Sequence, residues 1–457
     1  MGRKKGWVKV REIVRVTRGK LLSGSADYDV TPSRISTDSR TIRKGDFFLA
    51  LSGRNFDGNR FVLEAIKKRA IGAIVTRVPA NIKDSRAIII TVADTTKALQ
   101  DIAHCHRMRY DIPLIGVTGS NGKTTVKEMT AGILSKKYSV LKNEGTKNNH
   151  IGVPQTLLKL EKRHQICVLE FGANHKGEIR NLSGIANPTA AVITNIGPSH
   201  LEFFGDLKGV FEIKREILGD LNRKAFAIIN GDDEFLSKIR SKRFRVIRFG
   251  FAKANDFRAR LISSDKERIR FVLNEKDEYE LGLLGNHNIY NALAAIAAAS
   301  QFGVSYKFMR EALSDYKPTY MRLGREEVNG IDIINDSYNS NPLSMKAALE
   351  ALEFYPAKAK WIVSGDMLEL GGNSVRFHKM IGSSIANSGI EGLITLGSLS
   401  RHTSSQAKKE GMDRLWHCST HDEAARILKK VAKKGDAVLL KGSRSMKMEE
   451  IIERLRD

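Results

Sequence analysis

The sequence predicts an α/β protein of three successive domains. Three observations carry this: the length, the alternation of short apolar runs with helical patterns, and one glycine-rich turn between a strand and a helix. At 457 residues the chain exceeds one ordinary core, and a prior of about 150 residues per domain gives about three. Residues 1–110 carry apolar runs at 46–51, 71–76 and 87–92 beside a helical pattern over 60–68, which predicts a small α/β domain. Residues 111–317 predict a parallel-sheet domain, with strands near 114–118, 166–169, 191–194 and 225–229, a helix over 123–136, and a buried alanine-rich helix over 288–301. Residues 318–457 alternate strands at 331–334, 361–364, 392–396 and 437–440 with helices at 343–354, 374–388, 421–434 and 446–456. That is a Rossmann-like run with four strands.

Composition narrows the class of protein. No run of eighteen apolar residues occurs, and charge interrupts the N-terminus before a signal-type apolar core can form, so a cytoplasmic location without stable membrane insertion is expected. The three cysteines, Cys105, Cys167 and Cys418, are far apart and odd in number; a reducing compartment is expected, with all three as buried packing residues. A net charge of +25 admits nucleic acid, an anionic membrane or a polyanionic substrate. Lys and Arg are dispersed without aromatic interleaving, which favours solvated helix faces and attraction of nucleotide phosphates over nucleic-acid binding. His104-Cys105-His106 looks like a metal motif, but on a helix residues 104 and 106 point about 200° apart, so it is read as no site.

Thr118-Gly-Ser-Asn-Gly-Lys-Thr-Thr125 follows the 114–118 strand and enters the next helix. Backbone N–H groups and the positive helix end can hold phosphates there, which makes Gly119, Ser120, Asn121, Gly122, Lys123, Thr124 and Thr125 the candidate ATP site. Lys123 is placed on the β- and γ-phosphates and the Thr124 hydroxyl on Mg²⁺. The loop departs from G-x-x-x-x-G-K-[ST], since position 117 is Val and the additional glycine is Gly119. Glu170 closes the 166–169 strand beside this loop, where a carboxylate can ligate Mg²⁺.

With this loop the chain resembles the Mur ligase family, and the family's further motifs follow in order from Thr37-Asp-Ser-Arg40 to Leu440-Lys-Gly-Ser-Arg-Ser-Met446. The resemblance implies ATP and two Mg²⁺ ions. His200, in Thr194-Asn-Ile-Gly-Pro-Ser-His200, is implied as a second metal ligand, and Lys214, in Ile213-Lys-Arg-Glu-Ile217, as a carbamylated lysine on the metal. His287 and Asn291, in Leu284-Gly-Asn-His-Asn-Ile-Tyr-Asn-Ala292, are implied near adenine; Asn286 or Asn288 can equally cap that helix. Arg322 resembles the linker arginine on the terminal phosphate, with Arg325 close enough to compete for the register.

Asn335-Asp-Ser-Tyr-Asn-Ser-Asn-Pro342 is similar to the D-x-Y-N-x-x-P signature of the members that add D-alanyl-D-alanine to a UDP-N-acetylmuramoyl-tripeptide, where Asp336 meets the nucleotide and Asn339 the acceptor. The D-N-P-R of the amino-acid-adding members is absent here. Ser39, Arg40 and Gly53 match the family's UDP-sugar motifs, and Asn148 and Asn149 are expected to face the peptide; Asn59 departs from the usual histidine. The implied activity is an ATP-dependent amide ligation through an acyl phosphate. The chain is expected to act as a monomer.

Overall fold

The computed structural model describes residues 8–456 apart from 54–55, 79–81, 83–85 and 320. Three large sheets follow one another along the chain, beside the two-stranded pairs Val8–Lys9 with Asp29–Val30 and Ser52–Gly53 with Phe56–Asp57. The first has five strands in the order Lys20–Ser23, Ile88–Thr91, Gly72–Val75, Phe47–Leu49, Ile35–Ser36, parallel except for its first pair. The second has nine, and the third six.

In the second sheet the strand Leu114–Thr118 lies between Ile166–Glu170 and Ala190–Ile193, parallel to both, with Val117 opposite Glu170 and Thr118 opposite Ile193. This register sets Glu170 and the Thr194-Asn195 segment on either side of the phosphate loop. All five Leu114–Thr118 residues are buried, as a central parallel strand covered on both faces requires. The sheet also holds elements the apolar pattern did not show: Val140–Lys142 at one edge, Arg245–Gly250 in the parallel part, and an antiparallel meander of Phe257–Ser264, Ile269–Leu273 and Asp277–Leu281. The meander strands are charged on one face, which hides them from a search for apolar runs.

Helix His287–Ser300 buries eleven residues, among them Ala292, Ala294, Ala295, Ala297, Ala298 and Ala299, and shares one core with Val126, Met129 and Ile133 of the phosphate-loop helix Lys123–Ser135. A helix apolar all round must be covered all round, and alanine lets its neighbours approach closely. The helix Thr95–Arg107 joins the first sheet to the second. His104 Nδ1 meets the Ile185 carbonyl at 3.1 Å and His106 Nε2 that of Leu160 at 3.0 Å, while Arg107 Nε donates to the Ala186 carbonyl at 3.1 Å. The two histidines therefore serve different carbonyls of the second unit, and burial takes His106 down to about 4. Cys167 and Cys418 are buried, but Cys105 is only half-buried, because it falls on the flank of this helix rather than its packed face.

The third sheet runs Gly324–Val328, Ile331–Asn335, Ala437–Lys441, Lys360–Gly365, Gly392–Leu396, Leu415–Cys418, parallel after its first pair. It has six strands where the sequence reading found four. The additional two are the charged edge hairpin strand Gly324–Val328 and the half-exposed edge strand Leu415–Cys418. The last helix begins at Glu449, three residues later than expected, after a 3-10 turn at Arg444–Met446 and a left-handed Lys447. No helix among the described residues is long and apolar enough to cross a membrane.

Ala295→Leu should overpack the shared helix core and cost about 1–3 kcal/mol. A calorimetric melt of the variant, expected to show a clearly lower Tm than the parent chain, checks this.

Candidate active site

The phosphate loop depends on two glycines. Gly119 (φ +143°) would place a Cβ 2.0 Å from Thr194 Oγ1, and Gly122 (φ +79°) one 2.3 Å from Asn291 Oδ1. Both left-handed conformation and contact exclude a side chain, so the loop presses directly against Thr194 and Asn291. Asn291 is fixed in turn, its amide donating to Asn288 Oδ1 at 2.8 Å, while the Asn288 amide donates to the Leu284 carbonyl at 2.7 Å. The expected side-chain cap at this helix start does not form. Asn286 makes no capping bond and instead donates to Glu350 Oε1 at 2.9 Å, in the third unit.

Lys123 is the first residue of its helix and half-buried, less exposed than a surface loop lysine. Its ammonium donates to the Gly119 carbonyl at 3.0 Å and the Ser120 carbonyl at 2.9 Å, over the concave side of the loop. Burial lowers its proton affinity, nearby Glu170 raises it, and Arg322 lowers it again. Glu170 is 2% exposed; one carboxylate oxygen accepts from Thr124 Oγ1 and the other from the Asn148 amide, each at 2.7 Å. Asn148 is thus committed to Glu170 rather than turned to a peptide. Asn149 Oδ1 accepts from the Ile151 and Gly152 N–H groups at 3.1 and 2.9 Å, tying the start of helix Gly152–Leu157. Behind them the buried Lys127 donates to the Asn143 carbonyl at 2.7 Å, and Asn143 exchanges hydrogen bonds with the Glu170 backbone at 2.9 and 3.1 Å.

The third unit reaches the loop directly. Arg322 Nη2 donates to Thr124 Oγ1 at 3.1 Å, and its guanidinium stacks 3.9 Å from the Tyr338 ring. Arg325 instead bonds Asp332, at 2.9 and 3.0 Å, so of the two arginines it is Arg322 that reaches the loop. Asn121 and Asn341 exchange amide hydrogen bonds of 3.2 and 2.9 Å across the cleft, and Asn341 also caps helix Pro342–Glu353. His200, left-handed at φ +52°, puts Nδ1 2.5 Å from Glu369 Oε2 of the third unit, so its ring is engaged by that carboxylate and not by Glu170.

Lys214 is 1% exposed. Burial, and after it Lys123, brings its ammonium down to about 7, opposed by Glu178, Glu170 and Glu216. It hydrogen-bonds to no group among the described residues, and the Phe204 ring lies 5.4 Å away. Glu216 is occupied elsewhere, accepting from the Gly177 and Arg180 N–H groups at 3.1 Å.

Between the second and third units lies a cavity of about 270 Å³, bordered by Gly122, Asn195, His287, Arg322, Asp336 and Asn339. Burial lowers His287 to about 4, which leaves its ring neutral at pH 7. Asp336 Oδ2 pairs with Lys441 Nζ at 2.5 Å, and Lys441, at the end of strand Ala437–Lys441, is 1% exposed. The sequence placed Lys441 inside the Leu440-Lys-Gly-Ser-Arg-Ser-Met446 motif without giving it a role. Its signal was a charged residue ending an otherwise apolar strand. A larger open concavity of about 1070 Å³ near residues 176–244 touches neither the loop nor Asp336.

At the first unit, Ser39 is buried, with its carbonyl accepting from Lys68 at 3.0 Å, and Arg40 stands exposed in a two-bond pair with Asp38 at 2.9 and 2.8 Å. Gly53 is exposed at the Ser52–Gly53 edge. Asn59, in place of histidine, donates to Ser52 Oγ, Asp57 Oδ1 and Thr76 Oγ1 at 3.0, 2.7 and 2.9 Å, pinning this turn to the sheet. Gln155 Nε2 donates to Thr37 Oγ1 at 2.6 Å, linking the first unit to the Asn148-Asn149 loop.

Among the described residues no three His, Cys, Asp or Glu side chains gather to hold a metal alone. The Thr124 hydroxyl and Glu170 carboxylate, 2.7 Å apart beside the loop, still form a hard oxygen pair of the kind Mg²⁺ takes when phosphates and water complete its shell.

Residues 32–107 match the family described as Mur ligase family, catalytic domain; residues 117–299 the Mur ligase middle domain; and residues 321–444 the Mur ligase, glutamate ligase domain. UDP-N-acetylmuramoyl-tripeptide--D-alanyl-D-alanine ligase of Bacillus subtilis is 38% identical over 452 residues, covering 98% of each chain, and its Escherichia coli counterpart 34% over 461 residues, again 98% of each. A crystal structure of MurF from Acinetobacter baumannii superposes with a TM-score of 0.90 at 32% identity over 99% of both chains. MurF of Thermotoga maritima in complex with ADP gives 0.84 at 29% identity, over 93% of this chain and 97% of that one. With all three units matched in order and relatives aligned end to end, the chain belongs to the Mur ligase family.

Proposed function

We propose that this chain is an ATP-dependent ligase that joins D-alanyl-D-alanine to UDP-N-acetylmuramoyl-tripeptide in peptidoglycan precursor synthesis. The observation that carries it is the Asp336–Asn341 segment, seated against the phosphate loop through the Asn121–Asn341 pair, in a chain 38% identical end to end to a ligase of that name. The proposed units are a UDP-sugar domain over 1–110, an ATP domain over 111–317 and an acceptor domain over 318–457, each containing one of the three sheets. The proposed location is the cytoplasm and the proposed state a monomer.

A carboxylate at neutral pH repels nucleophiles, so amide formation needs it activated. The tripeptide carboxylate attacks the γ-phosphorus of ATP and breaks the bond to the bridging oxygen, giving an acyl phosphate and ADP. The free amine of D-alanyl-D-alanine then attacks the acyl carbon, phosphate leaves, and the amine gives up its proton. The loop N–H groups and Lys123 bind the phosphates, and Arg322, already on Thr124, adds a second cation where charge builds up. His287, neutral, and Asn291 border the adenine side, with Asp336 toward the nucleotide. Thr124, Glu170, His200 and a carbamylated Lys214 would hold Mg²⁺, which when bound offsets charge on the phosphates. For His200 this requires leaving Glu369. Closure of the third unit excludes water from the acyl phosphate. Ser39, Arg40 and Gly53 take the UDP-sugar, Asn148 and Asn149 shape the loop beside its peptide, and Asn339 faces the acceptor.

Lys123→Ala should lower ligation by about 10³-fold or more with the fold intact; phosphate release at saturating substrates, paired with a circular dichroism spectrum, measures both. Among the described residues the buried Lys214 ammonium has no hydrogen bond or ion pair, with Lys123, Glu178, Glu170 and Glu216 acting on it, a setting that a carbamate on the same nitrogen with Mg²⁺ beside it would satisfy. Incubation with ¹³C-bicarbonate should therefore give one carbamate NMR signal that Lys214→Ala lacks, and an active Mg²⁺-bound enzyme without that signal would refute the assignment.

An arginine loop suits the second carboxylate of a diacid amino acid, whereas the asparagine-rich loop here offers neutral donors and acceptors to a dipeptide. Phosphate should be released with the UDP-tripeptide and D-alanyl-D-alanine, and not with the UDP-dipeptide and diaminopimelate or lysine. Asn339→Ala should raise KM for D-alanyl-D-alanine more than for ATP.

A further inference from the structure

In the third sheet, strands Ile331–Asn335 and Ala437–Lys441 are neighbours and parallel. The helix after the first, Pro342–Glu353, packs through Met345 and Leu349 into one core, while the helix after the second, Glu449–Arg456, packs through Ile451 and Leu455 into another. The two helices thus leave to opposite faces, and a crevice opens at the carboxyl ends of these strands, the place where open α/β sheets bind ligands. Lys441 ends one strand and Asp336 follows the other, so both stand at the crevice.

The Lys441 ammonium is saturated. It donates to Asp336 Oδ2 at 2.5 Å, to the Asn339 carbonyl at 3.0 Å and to the Asp336 carbonyl at 3.4 Å. Three N–H groups meet three acceptors, which leaves none to carry a proton to substrate. A buried cation held in this way fixes the peptide units it touches, and the units fixed are the two that carry Asp336 and Asn339. The segment's other bonds join neither of these residues to the other: Asp336 N–H to the Leu440 carbonyl at 2.9 Å, Ser340 N–H to Asn339 Oδ1 at 2.9 Å, Ser337 to Asn335 Oδ1, Tyr338 N–H to the Met321 carbonyl, and Asn341 to its helix and to Asn121. Asp336 Oδ1 accepts from the Leu323 N–H at 3.2 Å, next to Arg322 on the phosphate loop. One lysine therefore sets the distance between the nucleotide contact and the acceptor contact and ties both to the arginine that reaches the loop.

We propose that Lys441 is a positioning residue that locks the Asp336–Asn339 segment, so that nucleotide and acceptor are held in register with each other. This rests on the reading of Asp336 as a nucleotide contact and Asn339 as an acceptor contact.

The experiment is steady-state kinetics with each of the three substrates varied, on the full chain and on Lys441→Met, Lys441→Gln, Asp336→Asn, Asn339→Ala and the Lys441→Met/Asp336→Asn double variant, with a melt of each. Lys441→Met should raise KM for both ATP and D-alanyl-D-alanine by about tenfold or more and leave KM for the UDP-tripeptide within about twofold. Lys441→Gln keeps a neutral donor to the Asn339 carbonyl and should raise mainly the ATP value. In the double variant the ATP KM should be no higher than in Asp336→Asn alone, because the lysine acts on ATP through that carboxylate. A lower Tm with all three KM values unchanged overturns the proposal, as does an equal rise in all three. A chain that folds with neither replacement also overturns it, since the lysine then serves the fold. If Asp336→Asn and Asn339→Ala themselves leave the ATP and acceptor KM values unchanged, the reading of those two contacts is what fails.

Discussion

The close approach of the phosphate loop to its neighbours is the constraint on which the rest of this structure depends. Gly119 and Gly122 leave no room for a Cβ against Thr194 and Asn291. Each of those contacts fixes another element: Thr194 directly follows the strand Ala190–Ile193, and Asn291 sits on the alanine-rich helix whose own neighbours must be small to lie so near. The loop's shape is therefore held from both sides before any ligand arrives. Preorganised donors of this kind are worth more to a developing charge than donors that must be ordered during reaction.

A second layer follows from where the strands end. Glu170 is opposite Val117 in the sheet, so its carboxylate comes beside Thr124 at the start of the helix. Once buried there, a carboxylate needs its acceptor sites filled. Thr124 and Asn148 fill them, and the Asn143–Lys127 pair holds the backbone behind. Asn148, expected to face the peptide, spends its amide on the Glu170 carboxylate.

Much of the fold was legible because parallel strands covered on both faces read as apolar runs. The strand Leu114–Thr118 and the strand Gly392–Leu396 fall where the sequence put them. The strands that were missed, Phe257–Ser264, Asp277–Leu281 and Gly324–Val328, are half-exposed, and their outward charged residues dilute the apolar signal. Local motifs likewise located Lys123, Thr124, Glu170 and Arg322 around one loop. What sequence could not display were partners distant along the chain: Glu369 on His200, Asn341 on Asn121 and Lys441 on Asp336. The first two pairings are decided by how the second and third units come to rest against each other, and the last by which strands of the third sheet lie side by side; no spacing within a motif encodes either.

The electrostatics of the cleft link the proposed closure of the third unit to a nucleotide. Lys123 and Lys214 both act on the buried carboxylate of Glu170, and Arg322 bonds to Thr124, which donates to it. Lys123 is pushed down by burial and then by Arg322, and Lys214 by burial and then by Lys123. Arg322 enters this group from the third unit, so bringing that unit onto the loop adds a cation to a site already rich in them. Such an arrangement is offset by a ligand of high negative charge, and a polyphosphate lying along the loop N–H groups supplies it where the repulsion is greatest. By linkage, an anion that relieves the closed site more than the open one must also favour closing, and closing must tighten the anion by the same factor. The same cations that would bind the phosphates thereby couple their arrival to the placing of Asp336 and Asn339, which reach the cleft on the unit that carries Arg322.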